Sequence, residues 1–238
     1  MKQSVPAIWR HEDKYGVREV DLAILNGRLR GLLFADTHTL SKGYYHISSL
    51  YFDDWQNGEL NRNIDGVDER TKYRIRRYEN GSLFLEEKQK RSGLVHKESQ
   101  PISEFIVARL ASGGLLSFSE ALTPAMRRFA LLQRMERLRP AVIVDYDRTA
   151  YVCKTCSVRV TFDRHIAASS HVKDFLTAPP MTPVMENSES VLEVKYDGLL
   201  PAYIAQALRT GKMHTTAFSK YTMARSATLL PIRKGMYS

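Results

Sequence analysis

The sequence predicts an α+β fold in which antiparallel strands curl into a closed barrel and helices pack outside. Two observations predict it. At least four segments alternate charged with aliphatic residues at the two-residue period of a strand, so each displays a charged row on one face. Other segments carry apolar residues at helical spacing and need an apolar sheet face to cover.

The clearest stretch is Arg70 to Lys97, two strands joined at Glu79-Asn80-Gly81-Ser82, with a third beginning after Ser92-Gly93. Asn-Gly between alternating runs is a strong hairpin signal. Lys72, Arg74, Arg76 and Tyr78 share one face, opposite Tyr73, Ile75 and Arg77. In the second strand Phe84, Glu86, Lys88 and Lys90 oppose Leu83, Leu85, Glu87 and Gln89. On this hairpin alone, the simpler reading turns the charged rows toward water.

In chain order, residues 6–15 read as a first strand with Arg10, Glu12 and Lys14 on one face. Val17 to Leu33 has amphipathic helical spacing. Tyr44 to Asp53 is a β-rich run, and Asp54 to Ile64 a short helix or connector. His96 to Gln100 continues as a strand until Pro101, and Ser103 caps a helix to Leu110. Phe118 to Leu138 is helical, with Pro124 as a break or a new start. Its arginines, among them Arg127, Arg128 and Arg134, read as a solvated face. Ala141 to Tyr151, Ser157 to Asp163 and Ser190 to Tyr196 are strands, and residues 169–190 a loop. Pro201 opens a helix to Arg209, and Phe218 to Leu230 is the last helix, carrying Lys220 and Arg225.

The chain has 238 residues, 43% of them hydrophobic, enough for a substantial core. No apolar run approaches the roughly 18 residues a membrane span requires, and the first residues have no signal-peptide core. A cytoplasmic location follows as the expectation, with a membrane-bound partner left open. The net charge of +9 points to a polyanionic partner: nucleic acid, an anionic membrane surface or a phosphate compound. The cysteines, Cys153 and Cys156, read as reduced thiols in a turn rather than half of a zinc site.

Charged rows recur as Glu12/Lys14, Arg74/Arg76, Glu86/Lys88 and Glu193/Lys195, with Arg159 on a fifth strand. If the apolar face packs helices and the sheet curls, the charged face becomes a lumen. A dry lumen of unpaired charges is prohibitive, so the tunnel must be wet and hold a charged ligand. Excess Arg and Lys say anion, and Arg suits bidentate phosphate contacts. A minority of carboxylates says metal, because Mg2+ or Mn2+ bridges carboxylate to phosphate oxygens.

With these features the chain resembles the VTC domain, the polyphosphate polymerase domain of vacuolar transporter chaperone proteins, within the triphosphate tunnel metalloenzyme superfamily. The matching segments are HEDKYGV (11–17), SSLYFDD (48–54), YRIRRY (73–78), FLEEKQKRSG (84–93), VDYDRTAY (144–151), VRVTFD (158–163), VLEVKYDG (191–198) and FSKYTMA (218–224). They span nearly the whole chain, so residues 1–238 are read as one domain. The resemblance implies eight antiparallel strands, ATP and polyphosphate as ligands, and Mn2+ or Mg2+ as cofactor. It implies a phosphotransferase of the polyphosphate kinase type, moving the γ-phosphate of ATP to a growing polyphosphate chain. Carried over, Lys14, Arg74, Arg76, Lys88, Arg148, Arg159 and Lys220 match the basic phosphate ligands, and Glu193 the metal-binding carboxylate. Glu12, Glu86 and Lys195 sit on matching tunnel faces, and Lys97 extends the basic path toward one mouth. The first strand keeps one in-facing Glu, with Arg10 where the wider superfamily has another, which favours the VTC branch.

Two alternatives stand beside the polymerase: a tunnel triphosphatase acting on nucleoside or inorganic triphosphate, and a non-catalytic polyphosphate-binding domain. A nucleic-acid-binding barrel is disfavoured, because its basic residues should be interleaved with exposed stacking aromatics. Tyr51, Tyr78 and Tyr146 line the tunnel or fill its ends on this reading.

Overall fold

The computed structural model describes residues 8–39, 42–186, 188–210, 214–215 and 219–229. In chain order its elements are β1 (His11–Arg18), α1 (Glu19–Arg30), β2 (Phe34–Ala35), β3 (Tyr45–Asp53), α2 (Gly58–Ile64), β4 (Arg70–Tyr78), β5 (Leu83–Arg91) and β6 (Leu94–Pro101). Then follow α3 (Glu104–Ala111), α4 (Pro124–Met135), β7 (Arg139–Val152), β8 (Val158–Ser169), β9 (Thr182–Pro183), β10 (Glu189–Tyr196), α5 (Ala202–Ala207), β11 (His214–Thr215) and α6 (Lys220–Leu229).

Eight long strands form one curled sheet in the order β1-β10-β8-β7-β3-β4-β5-β6, and neighbouring strands run antiparallel. Among the described residues the sheet is curled and open rather than closed by a continuous seam: its two ends meet at one bridge, where Arg10 and Val95 exchange backbone hydrogen bonds of 3.0 and 2.9 Å. Antiparallel register accounts for it. β6 begins at Leu94, one residue before the bridge, so almost all of β1 has no β6 residue opposite it, and its edge is paired to β11 at Tyr15 and Gly16 instead.

Alternation decides which side of each strand is dry. Tyr73, Ile75 and Leu85 point outward, where Val107 and Leu110 of α3 and Phe129 of α4 cover them. Val160, Phe162 and Leu192 are covered by Leu22, Leu25 and Leu29 of α1 and Ile204 of α5. Ser103 caps α3 by accepting from the Ile106 N–H, and Thr123 caps α4 with Pro124 in its first turn. The predicted Phe118–Leu138 helix is therefore shorter than its apolar pattern, because Pro124 is a new start rather than a break within it. β1 likewise runs three residues past the predicted strand, so α1 starts at Glu19 rather than Val17.

One helix departs from the expectation that all pack outside. Tyr221 and Ala224 of α6 lie against Tyr51, Val142, Val144 and Tyr146, residues on the same side as the charged rows. The inner row of β7 is aliphatic at Val142 and Val144 and needs a cover, which α6 provides. The Tyr221 hydroxyl donates to Asp53, whose carboxylate also accepts the Glu59 and Leu60 N–H groups at the start of α2.

Cys153 and Cys156 are joined in a disulfide at the tip of the β7–β8 hairpin, not left as thiols. The turn brings their Cα atoms to 5.4 Å, a separation a disulfide accepts.

Candidate functional site: a cation-lined tunnel

The concave side of the sheet encloses a cavity of about 450 Å³ lined by eleven Lys and Arg side chains against three carboxylates. That excess makes the cavity an anion trap. Three clusters build it, each centred on an acidic side chain.

The first cluster sits on β1, β5 and β10. Antiparallel register sets Glu12 opposite Lys195 and Lys14 opposite Glu193. Lys88 donates to both Glu12 oxygens at 2.6 and 2.8 Å, and Lys14 lies 3.0 Å from the same carboxylate. Lys195 Nζ stands between two carboxylates, 3.1 Å from Glu193 and 3.5 Å from Glu12. Burial and Glu193 push the Glu12 carboxyl up, but Lys14, Lys88 and Lys195 together outweigh them and bring it down to about 2. Burial likewise opposes ionisation of Glu193, and its surrounding cations, Lys195 foremost, hold it well below the usual carboxylate range.

The second cluster sits on β4, β5 and β6. Arg74 faces Glu86 across the strands and bonds it at 2.8 and 2.7 Å, and Lys97 reaches the same carboxylate at 2.8 Å. Arg76 approaches it at 3.6 Å. Glu86 is 1% exposed and lies behind these cations. Tyr51 and Tyr146 hydroxyls accept from Arg74 and Arg76, fixing both guanidinium planes. Arg76 Nε is buried and finds no acceptor among the described residues. An orphaned donor in a buried site is costly, and a ligand oxygen would relieve it.

The third cluster sits on β7, β8 and the start of α6. Arg148 grips Asp163 with two parallel bonds of 2.6 and 2.7 Å and extends to Glu193 at 3.4 Å. Lys220 Nζ lies 2.5 Å from the same Asp163. Arg159 pairs with Asp36 at 2.7 Å and donates to the Tyr45 hydroxyl at 3.2 Å.

Lys14, Arg74, Arg76, Lys88, Lys97, Arg148, Arg159, Glu193, Lys195 and Lys220, all expected from sequence, therefore meet around one cavity. Three further residues belong with them. Asp163 anchors Arg148 and Lys220 and has no exposed surface. Asp36 anchors Arg159. Lys72 lines the same cavity and donates to Ser219 at 3.1 Å. Burial lowers Lys72 to about 7 and Lys97 to about 8, against the pull of Glu59 and Glu86 respectively. The signal for Asp163 and Lys72 was present, since each shares a strand face with Arg159 or Arg74. Asp36 reaches Arg159 only through the fold.

No three His, Cys, Asp or Glu side chains converge to cage a cation among the described residues. Glu12 and Glu193, each in contact with Lys195, are the carboxylates that face the cavity's centre. A pair of carboxylates fits a hard cation that takes its remaining ligands from phosphate oxygens and water.

Among solved structures, the chain is similar to HpAC1 from Hippeastrum, a candidate adenylyl cyclase in which a dominant triphosphatase activity is described. The identity is 14%, the TM-score 0.55, and the match covers 96% of this chain and 100% of that one. It is also similar to a candidate adenylate cyclase from Bacillus halodurans, at 14% identity and TM-score 0.50, covering 80% of this chain and 83% of that one. These likenesses show the fold, that of the triphosphate tunnel proteins. No curated protein matches the sequence. The family profile described as VTC domain matches residues 9–229, the stretch that holds every strand and every side chain of the cavity, and the chain belongs to the VTC domain family.

Proposed function

We propose that the protein is a metal-dependent polyphosphate polymerase that transfers the γ-phosphate of ATP to a growing polyphosphate chain inside a basic tunnel lined by the curled sheet. The observation that carries this reading is the cavity itself, eleven cations against three carboxylates with a buried Arg76 donor left over. Family membership supports the same substrate class.

Phosphoryl transfer needs positioning and charge neutralisation more than covalent catalysis. Arg74 and Arg76 of β4, Arg148 of β7 and Arg159 of β8 converge on the cavity from three strands, so they can clamp a triphosphate from several sides. Glu86 and Asp163 act as positioning residues, holding those guanidinium groups against mutual repulsion while the tunnel is empty. The acceptor is the terminal phosphate oxygen of a polyphosphate chain, already anionic, so no protein base is required. A new P–O bond forms to that oxygen, the bond from the γ-phosphorus to its bridging oxygen breaks, and its electron pair leaves with ADP. Mn2+ or Mg2+, held by Glu193 with Glu12, supplies neutralisation of phosphate charge when bound.

A tunnel triphosphatase is the second reading. Among the described residues a single Arg10–Val95 bridge joins the sheet's ends, and a seam that short, which admits water, favours it. Incubation with ATP and Mn2+, beside a Glu193→Ala control, separates the two. The polymerase yields polymer with stoichiometric ADP, lost in the variant. ADP with free phosphate and no polymer contradicts it in favour of the triphosphatase, and binding without turnover leaves a polyphosphate-binding domain.

A further inference from the structure

The tip of the β7–β8 hairpin carries a pair of groups that the tunnel does not use. Cys153 and Cys156 span the turn Cys-Lys-Thr-Cys and are joined through their sulfurs. The turn does not depend on that bond for its shape. The Cys153 N–H donates to the Val158 carbonyl at 2.9 Å, and the Val158 N–H donates to the Cys156 carbonyl at 2.6 Å. Strand pairing runs up to Val152 and Arg159, directly behind the turn. With the sulfur–sulfur bond cut, this backbone frame keeps two thiols within reach of one another. Both cysteines are half-buried, and Lys154 and Thr155 between them are exposed, so a small molecule can reach the sulfurs.

The two sulfurs have unlike surroundings. A disulfide sulfur carries no hydrogen, so each contact to it from an N–H or O–H is a donation. Cys153 Sγ accepts from the Cys156 N–H at 3.1 Å and from the Thr155 hydroxyl at 3.5 Å. The Tyr203 hydroxyl of α5 stands between the sulfurs, 3.8 Å from Cys153 and 3.6 Å from Cys156. Among the described residues that shared hydroxyl is the only donor to Cys156 Sγ. Hydrogen bonds of this kind strengthen when the acceptor becomes an anion. Negative charge released by opening the bond is therefore held better on Cys153. The thiolate is the attacking form of a cysteine, which makes Cys153 the nucleophile of the pair.

We infer that Cys153 and Cys156 form a thiol–disulfide exchange site, with Cys153 as the attacking thiolate, Cys156 as the resolving thiol and a small-molecule disulfide as co-reactant. The Cys153 thiolate bonds to one sulfur of that disulfide, whose S–S bond breaks, and the electron pair leaves on the first small thiolate. Cys156, as its thiolate, then attacks Cys153 Sγ. The Cys153–Cys156 bond forms, the mixed disulfide breaks, and the second small thiolate leaves. The two departing thiolates take up the protons that the cysteines gave. The small disulfide is reduced by two electrons and the cysteine pair is oxidised by two. The exchange is independent of the tunnel, since neither cysteine lines the cavity.

The test reduces the folded wild-type chain with dithiothreitol, removes the reductant and adds limiting iodoacetamide at neutral pH, with each cysteine read separately by peptide mass. Cys153 is expected to take at least about threefold more label than Cys156, a modest ratio because a stabilised thiolate is also a weaker nucleophile. Thr155→Val, an exposed position, should bring that ratio toward one. Oxidised glutathione should restore the Cys153–Cys156 disulfide in the reduced wild type with no lasting adduct, and should stop at one glutathionyl group on Cys153 in Cys156→Ser. Equal labelling, a preference for Cys156, or a lasting adduct on the wild type overturns the inference. So does a bond that dithiothreitol leaves closed in the folded chain, the behaviour of a structural staple. Each of these outcomes leaves the phosphate tunnel standing.

Discussion

The two faces of the same strands obey different rules. On β4, Arg74 and Arg76 point into the cavity, while Ile75 between them is fully buried beneath α3 and α4. The outer residue is held by what it removes from water. The inner ones are held by Glu86 and by tyrosine hydroxyls, and together they leave net positive charge unspent. One strand thus supplies fold stability on one side and ligand affinity on the other, a half-turn of backbone apart. If that division is right, substitutions one residue apart should fail in different assays.

The largest expected effects come from adjacent positions. Arg76→Ala should reduce ADP release by about 10²- to 10³-fold, the loss typical of one preorganised charge-stabilising donor. Ile75→Ala should cost about 2–5 kcal/mol of stability through the cavity it leaves, read as a lower melting temperature. Its ADP release per folded molecule should stay at the wild-type level below that temperature. An Arg76 variant that melts early yet turns over normally would break the comparison.

Asp163 sharpens it, being an acid on the ligand side that acts structurally. Asp163→Asn leaves Arg148 and Lys220 beside each other without their shared carboxylate. Removing one partner of a buried pair costs about 3–5 kcal/mol. Tripolyphosphate should recover part of the lost melting temperature, because it supplies negative charge at the same place. A variant that melts as the wild type does, or gains nothing from ligand, would contradict the anchoring role.

A smaller effect follows from the lysines. Burial holds Lys72 at about 7 and Lys97 at about 8 in the empty tunnel. A bound polyanion favours the charged form and raises both, so binding takes up protons wherever the free groups are neutral. The contribution of these two lysines to affinity should therefore fall as pH rises through about 7 and about 8, by at most about tenfold per unit for each lysine. Lys72→Met should remove the lower of these steps. A profile that rises with pH would reverse the sign and refute the account of these two groups. The least effect is expected at the Cys153–Cys156 hairpin tip. Neither cysteine lines the cavity, so reduction should leave tripolyphosphate affinity unchanged.

Strict alternation made much of this arrangement legible. The two-residue period of Lys72, Arg74 and Arg76, and of Glu193 and Lys195, put those side chains on one face before any fold was known, and the structure brings them to one cavity. Legibility failed where the pattern stopped alternating. β7 begins Arg139-Pro140-Ala141-Val142-Ile143-Val144, apolar on both faces, so nothing announced that Val142 and Val144 would receive α6 inside the sheet. Asp36 was hidden for another reason. It lies outside the long strands, and the pairing of β2 to β7, continued by the Asp36 N–H bond to the Ala150 carbonyl, carries it to Arg159. The seam was also beyond sequence, since the register that sets Arg10 against Val95 joins residues far apart in the chain and no local pattern encodes it.

The claim beneath all of these is that the inner face holds a phosphate chain through its arginines. The most direct measurement is calorimetric titration of tripolyphosphate into the wild-type chain and an Arg74→Ala, Arg76→Ala double variant, at low and raised salt. The account predicts tight binding to the wild type that weakens with salt, and a loss of at least about a hundredfold in the double variant, the scale of two charge-assisted contacts. Equal affinity in the two proteins would contradict it.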